Sequence, residues 1–180
     1  MIQFATFPHT WSPPAWVGRI VETFRNHENR ISSPDQPERR LSSEEVLAVL
    51  AGDLEGLGFC IEKLKLTDRK LPRRASSAGE PEAEHYHVDV YHPEWHCCIA
   101  IENGSSGLHD AIDVDAVEPL LVANADTLCL AVPGSPRGTG SPSAGERPPD
   151  SEYDRAFTLA QAVYSRSRSY LPHRLVLIGY

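Results

Sequence analysis

The acidic residues best placed for chemistry lie in the segment HYHVDVYHPEWHCCIAIE, residues 85–102. Two short apolar runs flank a Pro-Glu-Trp turn, which predicts a pair of strands. Asp89 lies in the first run and Glu102 closes the second. Side chains alternate along a strand, so Cys98, Ala100 and Glu102 should share one face of the second strand, and the two acids can converge. Converging carboxylates bind a hard cation such as magnesium and suit phosphodiester chemistry.

Histidine and cysteine side chains crowd the same segment and raise the alternative of a zinc site. The spacing lacks the paired CxxC or HxxxH pattern of structural zinc sites, and Cys97 and Cys98 should point to opposite faces. We therefore favour strand histidines on a polar face, with His92 and His96 either capping the turn or contacting a phosphate. The cysteines all lie in apolar strand-like runs, which predicts reduced, buried side chains at Cys60, Cys97, Cys98 and Cys129.

The composition predicts one globular domain, residues 1–180, with no membrane span. A chain of 180 residues buries roughly 70% of its unfolded surface, so it needs no metal or disulfide to fold. No apolar run approaches the roughly 20 residues of a membrane helix. The start, MIQFATFPHTW, lacks a secretory signal, so we expect a cytoplasmic protein without a membrane partner.

The charge argues against bulk electrostatic binding of duplex DNA. The net charge is −8, whereas phosphate contacts are made by clustered lysine and arginine. Local basic patches remain candidates, with a solvated surface as the favoured interpretation of each: Arg69, Lys70, Arg73 and Arg74, and later Arg166, Arg168 and Arg174.

Periodicity predicts the order helix, helix, strand, strand, strand, helix, strand, helix, strand. The first helix, AWVGRIVETF, follows paired prolines and has an apolar stripe of Trp16, Ile20 and Phe24. The second lies in LSSEEVLAVLAGDLEGLGF, with Ser42 or Ser43 as cap and Gly58 as terminator. Strands are expected in FCIEKLKL, the two central runs, DTLCLAVP and RLVLIGY, and further helices near 108–124 and in YDRAFTLAQAVYSRS. This order fits an α/β fold with a mixed central sheet flanked by helices.

Three segments are expected outside this regular core. Residues 1–35 form an aromatic N-terminal extension that should pack onto the domain itself. Residues 67–84 are rich in charge, Ser, Pro and Gly, as in an exposed insertion. The Gly-, Pro- and Ser-rich residues 134–150 predict a flexible loop.

The order of elements and the acids together resemble the PD-(D/E)xK nuclease superfamily, whose core is helix, three strands, helix, strand. VDVYHPEWHCCIAIENG is similar to prokaryotic proteins allied to type II restriction endonucleases, in which V-D-x-x-H-P precedes A-L-E-V-E-x-G. The resemblance extends to FPHTWSPPAWV, LSSEEVLAVLAGDLEGLGF, DTLCLAVP and LVLIGY. It implies a restriction-endonuclease-like core, magnesium or manganese as cofactor, DNA as substrate, and Asp89 as the first metal ligand.

The sequence departs from that family pattern at the second acidic motif. If Glu102 is the last acid of ExE, Ala100 replaces the first acid; if Glu102 is the acid of ExK, Gly104 replaces the lysine. Strand alternation favours the first alignment. The resemblance also implies an additional acid on the first long helix, for which Glu45 is the candidate, with a role as a helix-cap residue as the simpler interpretation.

Two functional hypotheses follow, which Ala100 discriminates. One is a metal-dependent DNA endonuclease of restriction or phage-defence type, weakened by Ala100, with Asp89, Glu102 and Glu45 at the site. The other is a catalytically inactive nuclease-like subunit that binds DNA or assembles with a partner. A homodimer or a defence-system protein is the expected partner by analogy.

Overall fold

The structure is a computed structural model, and it describes residues 1–32, 41–61, 90–102, 125–134, 151–165 and 173–180. In these ranges the strands are β1 (Gln3–Phe7), β2 (Val90–His92), β3 (Cys97–Ile101), β4 (Thr127–Val132) and β5 (Arg174–Gly179). The helices are α1 (Ala15–Asn26), α2 (Glu28–Ile31), α3 (Ser43–Leu57) and α4 (Glu152–Ser165).

The strands form one mixed sheet in the order β1-β5-β4-β3-β2. The three central strands β3, β4 and β5 are parallel, while β1 and β2 pair antiparallel with β5 and β3. All six residues of β4 are buried, as expected for a central strand covered on both faces. The predicted α/β architecture, a mixed sheet flanked by helices, is confirmed at this level.

Alternation along the central strands divides the core into two apolar layers. Ile99, Cys129 and Val176 face α1 and α3, whose buried residues Ile20 and Leu50 belong to the same cluster. The residues of opposite parity face α4, whose contribution to the second layer includes Ala156, Ala160, Phe157 and Tyr164. Helices on both faces therefore bury the parallel strands.

The predicted helix ends of α3 follow from its sequence. Ser42 is the N-cap: its hydroxyl accepts from the Glu45 N–H at 3.2 Å, and the Glu45 carboxylate accepts from the Ser42 N–H at 2.7 Å. Gly58 ends the helix with φ of 101°, a backbone angle that favours glycine. A side chain at position 58 would also meet His92, because its Cβ would lie 2.9 Å from the His92 Nε2.

The N-terminal region contains a strand that periodicity did not predict. Residues Gln3–Phe7 pair antiparallel with β5, from Gln3 opposite Gly179 to Phe7 opposite Leu175. Phe7 and the α1 residues Ile20 and Phe24 are fully buried. Packing of the aromatic N-terminus onto the domain itself is therefore observed, with β1 as an additional edge strand.

Several predicted segments lie outside the described residues. These are most of FCIEKLKL after Ile61, the insertion 67–84, the helix near 108–124, and the loop 134–150 beyond Gly134. Among the helices that the structure does describe, none is long and apolar enough to cross a membrane.

Candidate functional site

The β2–β3 hairpin carries the chemistry-bearing segment, and its described part matches the predicted strand pair. Val90 lies opposite Ile99, and His92 lies opposite Cys97, with residues 93–96 forming the turn. The chain before β2 also pairs with it, because Cys60 and Tyr91 form an antiparallel bridge. The hairpin thus lies beside the residues that directly follow α3.

His92 ties this hairpin to the end of α3. Its Nε2 lies 3.0 Å from the Leu57 carbonyl oxygen, and its Nδ1 accepts from the Trp95 N–H at 3.2 Å. The carbonyl requires a donor and the amide requires an acceptor, so the bonds together select the neutral ring with its proton on Nε2. The interpretation of His92 as a cap of the turn is confirmed, and both of its ring nitrogens are engaged within the protein.

An aromatic stack that the sequence did not predict surrounds His92. The ring of Trp95 lies parallel to that of His92, with centroids 3.8 Å apart, and to that of Trp16, with centroids 5.3 Å apart. Phe59 meets both His92 and Trp95 edge-on. The stack joins α1, the end of α3 and the turn. Its only sequence signal was the aromatic character of four separated residues.

His96 has a different role from His92 in the same turn. Its ring is exposed and lies 3.5 Å from the Tyr91 hydroxyl, at the limit of a hydrogen bond. Its carbonyl oxygen accepts from the Asp126 N–H at 2.9 Å, and its φ is 47°. His96 therefore connects the turn to the start of β4 mainly through its backbone.

Glu102 lies at the end of β3 remote from the turn, one residue after the strand ends at Ile101. Its N–H donates to the Ala131 carbonyl at 2.8 Å, which extends the β3–β4 ladder by one bond. Its carbonyl accepts from the Tyr180 hydroxyl at 3.0 Å. Both main-chain polar groups of Glu102 are therefore held, and the residue is partly buried.

Ala100 packs against the apolar layer that faces α4. It lies opposite Leu130 of β4 and shares this layer with Cys98 and Tyr91. Ile99 and Cys97 belong to the other layer, so the predicted alternation of β3 is confirmed where the structure describes it. The position that an ExE motif would fill with a carboxylate carries a methyl group.

Glu45 is exposed and lies in the first turn of α3. Its carboxylate is bonded to the Ser42 N–H in the capping box, so the interpretation of Glu45 as a helix-cap residue is confirmed. A helix of 15 residues is about 22 Å long, so Glu45 lies far along α3 from the Leu57 end that contacts His92.

Asp89 lies outside the described residues, immediately before Val90. The same holds for His85, His87 and Gly104. The predicted convergence of Asp89 and Glu102 thus stays a prediction. In the part of the chain that the structure describes, no three or more His, Cys, Asp or Glu side chains are grouped so that they could hold a metal ion.

The cysteines are all reduced, and three of them are buried as predicted. The Sγ atoms of Cys97 and Cys129 lie 3.5 Å apart, and this hydrogen bond together with burial raises the pKa of Cys97. Burial, with a smaller effect of Cys97, raises the pKa of Cys98 to about 12. Cys97 and Cys98 point into opposite layers, which agrees with the argument against a shared zinc ion.

The prediction of burial was wrong for Cys60, which is exposed. Phe59 is only 4% exposed and packs in the apolar layer that faces α1 and α3, so alternation turns the next side chain away from that layer.

Comparison of the chain with protein-family models, with curated proteins and with solved structures found no match.

Proposed function

We propose that this chain is a magnesium-dependent DNA endonuclease with a restriction-endonuclease-like core, and that Asp89 and Glu102 are its metal ligands. The observation that carries the proposal is the position of Glu102. It is held through both main-chain groups at the end of β3, next to the strand that Asp89 precedes.

The element order supports this core. Just after the long helix α3, Cys60 forms an antiparallel bridge with Tyr91 of β2, and β2 forms a hairpin with β3. The next described strand, β4, runs parallel to β3. The PD-(D/E)xK resemblance implies the order helix, three strands, helix, strand. Among the described residues α3, the bridge at Cys60, β2, β3 and β4 follow this order, and the helix expected between β3 and β4 falls outside them.

Chain connectivity supports the pairing of the two acids. Val90 lies opposite Ile99, and the Cα of Asp89 is one peptide step, about 3.8 Å, from that of Val90. Glu102 follows Ile99 along β3, away from the turn. Glu102 and Val90, the residue that Asp89 precedes in the sequence, thus lie at the end of the hairpin remote from the turn that holds His92. Glu45 belongs to α3, which packs on the opposite face of the sheet from the layer that contains Ala100.

The chemistry of the donor set suits a hard divalent cation. Bound magnesium would neutralise the charge that develops on a phosphodiester and lower the pKa of an attacking water. Asp89 and Glu102 would each supply carboxylate oxygens, the ligands that magnesium prefers. Ala100 supplies none, so we expect weaker binding of the ion and slower cleavage than a complete motif would give.

Plasmid cleavage tests the proposal. Purified protein with magnesium or manganese should nick or linearise supercoiled DNA, and Asp89→Ala and Glu102→Ala should each remove this activity. Glu55→Ala, which changes an exposed glutamate near the C-terminal end of α3, should cleave as wild type does. Cleavage that survives both Asp89→Ala and Glu102→Ala would exclude this site.

A second candidate function rests on Ala100. Because its methyl group belongs to an apolar layer, the domain suits a nuclease-like subunit that no longer cuts and that binds DNA or assembles with a defence-system partner. Under this hypothesis wild type is inert, and Ala100→Glu increases manganese binding measured by calorimetry. Ala125→Glu is the matched control, since Ala125 packs against the same layer before β4. Equal manganese binding by Ala100→Glu and wild type would exclude the proposed geometry.

The partners and location belong to the same proposal. We propose that the protein acts on DNA in the cytoplasm, in restriction or phage defence. Cleavage of both strands at a symmetric site would be served by a homodimer, since a two-fold assembly presents two identical sites.

A further inference from the structure

Tyr180 reaches from the end of β5 to the end of β3. Its hydroxyl donates to the Glu102 carbonyl oxygen at 3.0 Å, although β4 lies between the two strands. Neighbouring strands are about 4.8 Å apart, so this contact spans roughly 10 Å across the sheet. The bond thus ties together strands that are not neighbours.

The tyrosine that makes this contact is itself fixed. Its N–H donates to the Val132 carbonyl at 2.9 Å, and its carbonyl accepts from the Gly134 N–H. The side chain is only 8% exposed, and its ring lies 6.4 Å from that of Phe24 on α1. The hydroxyl is therefore presented from a residue anchored to β4 and packed against a helix.

These contacts restrain the backbone of Glu102, the residue that follows the end of β3. The ladder bond to Ala131 fixes its N–H, and Tyr180 fixes its C=O. Together these bonds orient the backbone from which the side chain projects. Loss of the hydroxyl would remove the restraint that Tyr180 places on the Glu102 carbonyl.

We propose that Tyr180 is a positioning residue for Glu102, which presets the direction of this carboxylate for a divalent cation. This inference rests on the proposed function. Groups that orient a metal ligand from behind commonly affect metal affinity by about 10-fold to 100-fold. Tyr180 acts through the main chain of the ligand and makes no contact with the ion in this proposal, so we expect the lower end of that range.

The test compares Tyr180→Phe with a matched control, Tyr164→Phe. Both substitutions remove a tyrosine hydroxyl that donates to a main-chain carbonyl, since the Tyr164 hydroxyl donates to the His173 carbonyl at 3.3 Å. Tyr164 lies on α4 and packs against the layer between α4 and the sheet, whereas Tyr180 belongs to the layer facing α1 and α3. If losing any tyrosine hydroxyl bond of this kind weakened manganese binding, the two variants should be affected equally, because only Tyr180 bonds to Glu102.

Two measurements are made on full-length protein: manganese affinity by calorimetry and hydrogen exchange of the Glu102 amide by NMR. We expect Tyr180→Phe to weaken manganese binding about tenfold and to accelerate exchange at Glu102, while Tyr164→Phe resembles wild type in both. Unchanged exchange at Glu102, or faster exchange with unaltered manganese affinity, would overturn the inference.

Failure of the proposed function is distinguishable from failure of this inference. If wild type binds no manganese, the metal site is wrong, and the inference that Tyr180 positions a metal ligand falls with it. If wild type binds manganese and Tyr180→Phe binds it equally well, only the role of Tyr180 is wrong.

Discussion

His173 is the residue whose burial has the clearest consequence for pH dependence. It is 9% exposed, and burial lowers the pKa of its imidazole below the usual 6.5. Its Nδ1 has no hydrogen-bond partner among the described residues. The buried ring is therefore favoured in its neutral form.

We predict that the protein loses stability as the pH falls below about 6.5, in part because of His173. In that range the unfolded chain binds a proton at this histidine that the folded chain resists, so unfolding becomes more favourable. His173→Gln should reduce the pH dependence of the free energy of unfolding between about pH 7 and pH 5, as measured by urea denaturation. An unchanged pH dependence in His173→Gln would contradict this account of the residue.

The cysteines differ in exposure and should differ in reactivity. Cys60 is exposed, whereas Cys97, Cys98 and Cys129 are buried and the pKa of Cys98 is about 12. At pH 8 we expect a chromogenic disulfide reagent to modify one thiol rapidly and the other three only after denaturation, because the thiolate is the reactive form. Cys60→Ser should remove the rapid phase. Rapid modification that persists in Cys60→Ser would show that a buried thiol is accessible.

At the scale of elements, His92 joins the β2–β3 hairpin to α3. Loss of its side chain would leave the Leu57 carbonyl and the Trp95 N–H without these partners. It would also remove the ring that stacks on Trp95. We predict that His92→Ala lowers the free energy of unfolding by about 2–4 kcal/mol, combining unsatisfied polar groups with lost packing.

The matched control for His92→Ala lies in the same turn. Glu94 is exposed, and Glu94→Ala should change stability by no more than about 0.5 kcal/mol. Chemical denaturation of the three proteins measures both effects. Equal stability of His92→Ala and Glu94→Ala would mean that the contacts of His92 do not hold the hairpin to α3.

The elements that sequence predicted well are those with strong local signals. The Ser42 and Glu45 capping box and the left-handed Gly58 determine where α3 begins and ends. The almost continuous apolar run before Pro133 made β4 recognisable, and all six residues of the strand are buried. By contrast, β1 is a five-residue edge strand with two exposed residues, and its pairing with β5 depends on a partner about 170 positions later. Local periodicity carries no information about such a partner.

The candidate site was predictable only in part, for the same reason. Strand alternation correctly separated Cys97 from Cys98 and gave Ala100 the same face as Cys98. The hydrogen bond from Tyr180 to Glu102 joins residues separated by 78 positions, and the stack of Trp16 on Trp95 likewise joins distant segments. These contacts depend on the order of strands and the packing of helices, which a motif does not specify.

At the scale of the whole molecule, the two ends of the β2–β3 hairpin differ. One end is held to α3, and the other carries the candidate site. His92, Trp95 and the end of α3 secure the turn. Glu102 lies at the opposite end of β3, where β4 and Tyr180 hold its backbone. Different contacts therefore hold the two ends of the hairpin, and we propose that Asp89 and Glu102 bind the same divalent cation at the end remote from the turn.

Calorimetric titration with manganese tests that claim most directly. Wild type should bind the ion, and Asp89→Asn and Glu102→Gln should each weaken binding at least about tenfold, because each removes a charged ligand. Glu55→Gln, which removes the charge of an exposed glutamate near the C-terminal end of α3, should bind manganese as wild type does. Absence of binding by wild type, or equal affinity in all four proteins, would contradict the account.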